Sequence, residues 1–173
     1  RGVAVMLKRD SYTMMLYYSD KKTDATLITD SVTGQQFIQS INSSGLHCTE
    51  ASQNNRNNLR EQGVGIRVET KRQNLLLGVS LVRHSYDLSF SKKNTLAAMY
   101  QTRLKQSDFI GVDYSYQLKN FHLFGEQACL NQKSFAGVHA LAISFSKDCS
   151  MGVGYRRYAK TYLAPEANVL GAY

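Results

Sequence analysis

The sequence predicts an all-β chain, an antiparallel up-and-down meander that forms part or all of a transmembrane β-barrel. Three observations carry this. Apolar and polar residues alternate with period two in nearly every segment between turns. Those segments run to about ten residues, whereas the average globular strand has ~5–6. The connections between them are mostly tight and polar, so neighbouring segments are hairpin partners.

The elements follow in order. Residues 2–9 set Val3, Val5 and Leu7 against Gly2, Ala4, Met6 and Lys8. Residues 11–19, SYTMMLYYS, are apolar on both faces and rich in tyrosine. Residues 20–61 read as one long polar loop, rich in Asn, Gln and Ser, with a short helix over Thr49–Leu59 capped by Thr49. In residues 63–71, Val64, Ile66, Val68 and Thr70 oppose Gly65, Arg67, Glu69 and Lys71. In residues 75–84, Leu75, Leu77, Val79 and Leu81 oppose Leu76, Gly78, Ser80, Val82 and His84. A moderate loop at 85–94 has room for extra strand, and a weaker strand is expected at 95–104. Strands at 107–118, 121–130, 135–147 and 150–158 complete a set of about nine, long for a soluble sheet.

Composition bounds the answer further. A length of 173 residues suits a single domain, 1–173. With 43% hydrophobic and 20% charged residues, wholesale disorder is excluded. No apolar run approaches the ~20 residues of a transmembrane helix; the densest is LLLGVSLV at 75–82. The chain starts on Arg1 without a start methionine or signal peptide and stops on LGAY without a completed element. It is therefore expected to be a fragment or mature segment of a longer protein. The formal charge is +8. Its cations recur at predicted turns, as in KRD, TKRQN, LKN and SKD, rather than along one helix or aromatic ladder. That distribution fits turn chemistry and solubility, with lipid phosphate as a secondary contact, and gives no support for nucleic-acid binding through this segment.

The segment FIGVDYSYQL, 109–118, poses the central question. Its phase Ile110, Val112, Tyr114, Tyr116, Leu118 is apolar or aromatic, and the other is small and polar after Phe109. In a soluble sheet the apolar face covers a core. In a membrane barrel it meets lipid, and the polar face lines the lumen. Charges at mid-strand on the polar phase favour the second reading: Arg67, Glu69, Asp113, Glu126 and Arg156 form a candidate lumen network. The small residues Gly65, Gly78, Gly111, Ser115, Gly152 and Gly154 share that phase. Glu126 and Arg156 are expected to form a lumen salt bridge that braces the barrel, with a substrate-selective ring as the alternative. Ile110, Val112, Tyr114, Tyr116 and Leu118 are the candidate lipid-facing residues. The absence of Trp weighs slightly against an aromatic girdle, a role that the eleven tyrosines can partly take.

Catalytic and metal signals are weak. There is no Gly-x-Ser-x-Gly, P-loop or Cys-x-x-Cys. His47, His84, His122 and His139 fall on different elements, and His47 with Glu50 offers only two metal ligands. No catalytic residue, metal or cofactor is assigned. Of the three cysteines, Cys129 and Cys149 lie too far apart to bridge, while Cys48 and Cys149 have a possible pairing if the strand parity places them at one end.

YYSDKKTDATL, followed by GLHCTEASQNNRNNLREQGVGIRVE, resembles a pattern of Bacteroidota outer-membrane proteins in which a β-barrel follows a helix-hairpin-helix region. LFGEQA at Leu123–Ala128 and YRRYAKTY at Tyr155–Tyr162 resemble further segments of that family. The resemblance covers roughly residues 15–173 and departs at Cys48, where a basic residue is expected. It implies an outer-membrane location in a Gram-negative bacterium, contact with outer-membrane lipid, and closure by further strands of the same chain or of a partner protein. The expected role is structural or pore-type transport, porin-like and non-catalytic. The alternatives are a soluble β-barrel or sandwich that binds a small ligand, and a barrel enzyme at the membrane surface.

Overall fold

The structure is a computed structural model that describes residues 1–42, 45–46, 48–90 and 105–162. Among these residues ten strands form one sheet: β1 (Gly2–Arg9), β2 (Tyr12–Thr29), β3 (Gln36–Asn42), β4 (Leu59–Arg72), β5 (Leu75–Tyr86), β6 (Ser89–Phe90), β7 (Gln106–Leu118), β8 (Phe121–Leu130), β9 (Ser134–Ser144) and β10 (Ser150–Tyr158). One short helix, α1 (Glu50–Asn54), lies between β3 and β4. The chain is all-β in class, and the sheet curls into a half-barrel.

The main sheet is an antiparallel meander in the order β1-β2-β4-β5-β7-β8-β9-β10. Tight turns set its register. Asp10, Gln73 and Lys119 each open a two-residue turn at positive φ, 44°, 46° and 48°, the geometry that matches strand twist in hairpins. These turns share one end of the sheet with the loop 145–149. The opposite end carries the connection between β2 and β4, the connection between β5 and β7, and a short turn at 131–133 with Asn131 and Gln132 at positive φ.

The polar stretch 20–61 is not one loop. β2 continues to Thr29, β3 returns antiparallel beside it with a register shift at Thr26/Leu27, and β4 starts at Leu59. The two-residue β6 adds to β3 in parallel, inside the loop where extra strand was expected. The reason for the difference is that this region rises past the apolar band of the meander. Water then reaches much of both faces, so polar residues serve as strand residues and the alternation fades. Thr49 caps α1 as expected, and Ser52 completes a capping box. The helix stops at Asn54, short of Leu59, because Asn57 takes φ of 52° and Leu59 is already the first residue of β4. The strand expected at 95–104 lies outside the described residues.

A small dry core holds this excursion. Ala25, Ile38, Leu59 and Tyr86 are buried, with Leu27, Ile41, Leu88 and Phe90 packed against them. Tyr86 meets Phe90 edge-to-face at 5.4 Å. Asn58 clamps Ala25 through both backbone groups, at 3.0 and 2.8 Å. Where the excursion meets the meander, Arg60 donates to Asp20 at 3.0 Å through Nε and at 2.5 Å through Nη2. That guanidinium holds the Asp20 carboxyl well below the usual carboxylate range.

All three cysteines are free. The possible Cys48–Cys149 pairing fails on parity. β5 pairs directly with antiparallel β7, so the chain re-enters the sheet at the end where it left. Cys149 therefore falls at the tight-turn end and Cys48 in the excursion at the other.

Candidate functional site

The register divides the meander into two faces, because directly paired residues share a side of the sheet. One paired row reads Lys8, Thr13, Glu69, Gly78, Asp113, Glu126, Val138, Arg156. This is the concave face, where side chains close over one another. Gly63 and Gly65 are buried there, while Val64 between them is 49% exposed on the other side. The Tyr17 ring occupies the space a side chain on Gly65 would need.

Arg67 is the hub of the concave face. Its guanidinium grips Asp113 with two hydrogen bonds, 2.6 Å to Oδ1 and 2.9 Å to Oδ2. It also reaches Glu69 at 3.1 Å and Ser80 at 3.0 Å. Asp113 lies on β7 and Arg67 on β4, so the pair spans β5 between them. It can do so because β5 presents Gly78 there: an added Cβ would sit 2.5 Å from Arg67 Nη2 and 2.6 Å from Asp113 Oδ1. The sequence reading named all three charged residues but not the role of Gly78. Gly78→Ala is expected to displace this pair and cost ~1–2 kcal/mol of stability. A double-mutant cycle with Asp113→Ala checks it, since the penalty must shrink when the crowded carboxylate is gone.

Glu126 and Arg156 share the concave face but do not pair with each other. They occupy the same row on β8 and β10, with Val138 of β9 between them. Bridging that distance needs both side chains fully extended across an apolar neighbour, and no such pair forms. The bracing that was expected from this pair is instead made by Arg67 with Asp113. A second polar group sits nearer the excursion: the nearly buried Glu61 pairs with Lys21 at 3.1 Å and lies 3.7 Å from His84. Ser115 and His122 share a hydrogen bond of 2.9 Å lower on the same face. His47 lies outside the described residues. Among the described residues, no three His, Cys, Asp or Glu side chains gather to hold a metal ion.

The convex face is apolar and open. Val112, Ile110, Tyr116 and Leu118 are 37–46% exposed, and Leu16, Val68, Val79, Leu81, Leu123 and Val153 are exposed beside them. Tyr114 shares that face but is half-buried. Its ring lies across Gly125 and stacks on His139, with Oη 3.0 Å from Nδ1. Ile110 to Leu118 covers ~27 Å at ~3.4 Å per residue; a tilt of ~40° reduces that to ~21 Å, near the ~25 Å of a bilayer's apolar band.

Polar residues limit this belt along an oblique line. Asp20 ends it on β2, the Arg83–Asp108 ion pair at 2.6 Å ends it on β5 and β7, and Arg157 ends it on β10. In paired rows the limit descends steadily from β2 to β10. A tilted, staggered sheet crossed by a level boundary gives that slope.

The fold and the two faces together define a curled β half-barrel with a polar concave side and an apolar convex side. Comparison adds no closer placement: no family model, curated protein or solved structure matches the chain.

Proposed function

We propose that the chain is a transmembrane β-barrel segment of a Gram-negative outer membrane, with a structural or pore-type role and no catalysis. The observation that carries this reading is the convex belt. Large apolar side chains stand exposed along every long strand, while those fully buried are few and lie mostly in the excursion. A water-soluble sheet of this size would cover such a face with a second layer. Lipid covers it without one. The concave face fits the same reading, since a polar interior accepts the Arg67–Asp113–Glu69 group. The resemblance to Bacteroidota outer-membrane barrels that follow a helix-hairpin-helix region points the same way.

Among the described residues, β1 and β10 each pair on one side only. In a bilayer such edges must be closed, so further strands of the same protein or of a partner are required beside them. The space above Gly152 and Gly154 on β10 is open apart from the β9 backbone, as expected for a face awaiting a neighbour.

The test uses the absence of Trp from these 173 residues, with any Trp elsewhere in the full-length protein replaced by Phe. A single Trp is placed at Val112 or at Ser115 of the full-length protein, in vesicles of brominated lipid. Emission from Val112→Trp is expected to be quenched and that from Ser115→Trp spared. Equal emission from both would remove the proposal and favour a soluble barrel.

A further inference from the structure

Within the belt, the outward phase of the meander is apolar except over β8, β9 and β10. There the paired row Val112–Gln127–Gly137–Arg157 turns polar. Gly137 leaves a low floor, over which the Gln127 side chain leans. The groove around it is lined by Gln127, His139, Arg157 and Lys160, with Phe135 and Tyr155 as aromatic walls. Phe135 is 54% and Tyr155 61% exposed. No carboxylate of a described residue lines the groove. Glu126, the nearest acid in the strand, faces the concave side. The Arg157 guanidinium forms no hydrogen bond or ion pair with any described residue.

An unpaired guanidinium on a lipid-facing surface is costly unless an anion meets it. Arg157 stands where the oblique limit of the belt crosses β10, the depth at which headgroups begin. The limit lies toward the end with the long connections, which in outer-membrane barrels is the outer side. The outer leaflet there presents phosphorylated glycolipid. We infer that this groove binds a phosphate of lipopolysaccharide: Arg157 and Lys160 supply charge, Gln127 supplies a neutral hydrogen bond, and Phe135 and Tyr155 flank the first acyl segments. Guanidinium suits the task, because it is weakly hydrated and can hold two phosphate oxygens at once. His139 is held by Tyr114 at 3.0 Å and forms the inner wall of the groove.

This inference rests on the barrel reading, and its test separates the two. Full-length protein is extracted from membranes, stripped of lipid in detergent, and titrated with purified lipid A; binding is read as a rise in thermal midpoint. Wild type and Arg157→Lys are expected to bind. Arg157→Gln should bind roughly fivefold more weakly, and Arg157→Gln with Lys160→Gln about 25-fold, at ~1 kcal/mol per cation near the headgroups. Each variant is first checked for the same gel shift on boiling as wild type. Equal lipid A affinity in all variants overturns the inference while the barrel stands. Phosphatidylglycerol binding as tightly as lipid A overturns the lipopolysaccharide assignment. A protein that neither sediments with membranes nor shifts on boiling overturns the barrel reading itself.

Discussion

Val112→Arg is expected to destabilise the protein in lipid by ~2–4 kcal/mol, the cost of a cation near the middle of a lipid-facing strand. Val112 is 44% exposed, makes no polar contact and lies centrally in the convex belt. The size of the effect is what discriminates. If water covered the convex face, the same substitution would change stability by less than ~0.5 kcal/mol, as surface changes usually do. Ser115→Arg, on the concave face of the same strand, should cost ~1 kcal/mol, chiefly the hydrogen bond to His122 at 2.9 Å. Urea titration of the lipid-reconstituted protein measures both. Two similar small effects would contradict the assignment of faces.

Leu59→Ala is expected to cost ~2–5 kcal/mol, but locally. Leu59 is 0% exposed and stands in the hydrophobic cluster of the excursion, among Ala25, Ile38 and Tyr86. Its truncation leaves a cavity between β2, β3 and β4 that the clamp of Asn58 on Ala25 keeps from collapsing. The meander below does not draw on that cluster, so the excursion should open by itself. Proteolysis within residues 30–58 is expected to accelerate at least ~30-fold, the factor that 2 kcal/mol implies, while the gel shift of the barrel persists. Loss of the shift together with the excursion would show that the two are one cooperative unit.

The meander was legible because its signals are local. Val64, Ile66 and Val68 alternate with Gly65, Arg67 and Glu69, and a period-two pattern of that length fixes both strand and face. Arg67, Glu69 and Asp113 were readable as a group for the same reason, since mid-strand charges on one phase have to meet across a curled sheet. What escaped depends on register, which alternation does not encode. Glu126 and Arg156 share a phase, yet the register puts Val138 between them. The strands within 20–61 escaped because Asp20–Thr29 and β3 lie beyond the apolar band, where both faces carry polar residues. Tyr114 reads as one more outward aromatic; its half-burial follows from Gly125 and His139 standing opposite it. The signal for the groove was present in the outward phase of three strands, where Gln127, Gly137 and Arg157 interrupt the apolar series.

Heat-modifiability of the natural full-length protein tests the central claim most directly. The protein is extracted from membranes in detergent and run on a denaturing gel with and without boiling, beside its distribution between membrane and soluble fractions. A transmembrane barrel predicts a membrane-bound protein whose unboiled form migrates differently, because detergent leaves the closed sheet folded until heated. A protein that stays in the soluble fraction and migrates identically in both lanes would contradict the account, and the exposed convex face would then need a protein layer to cover it.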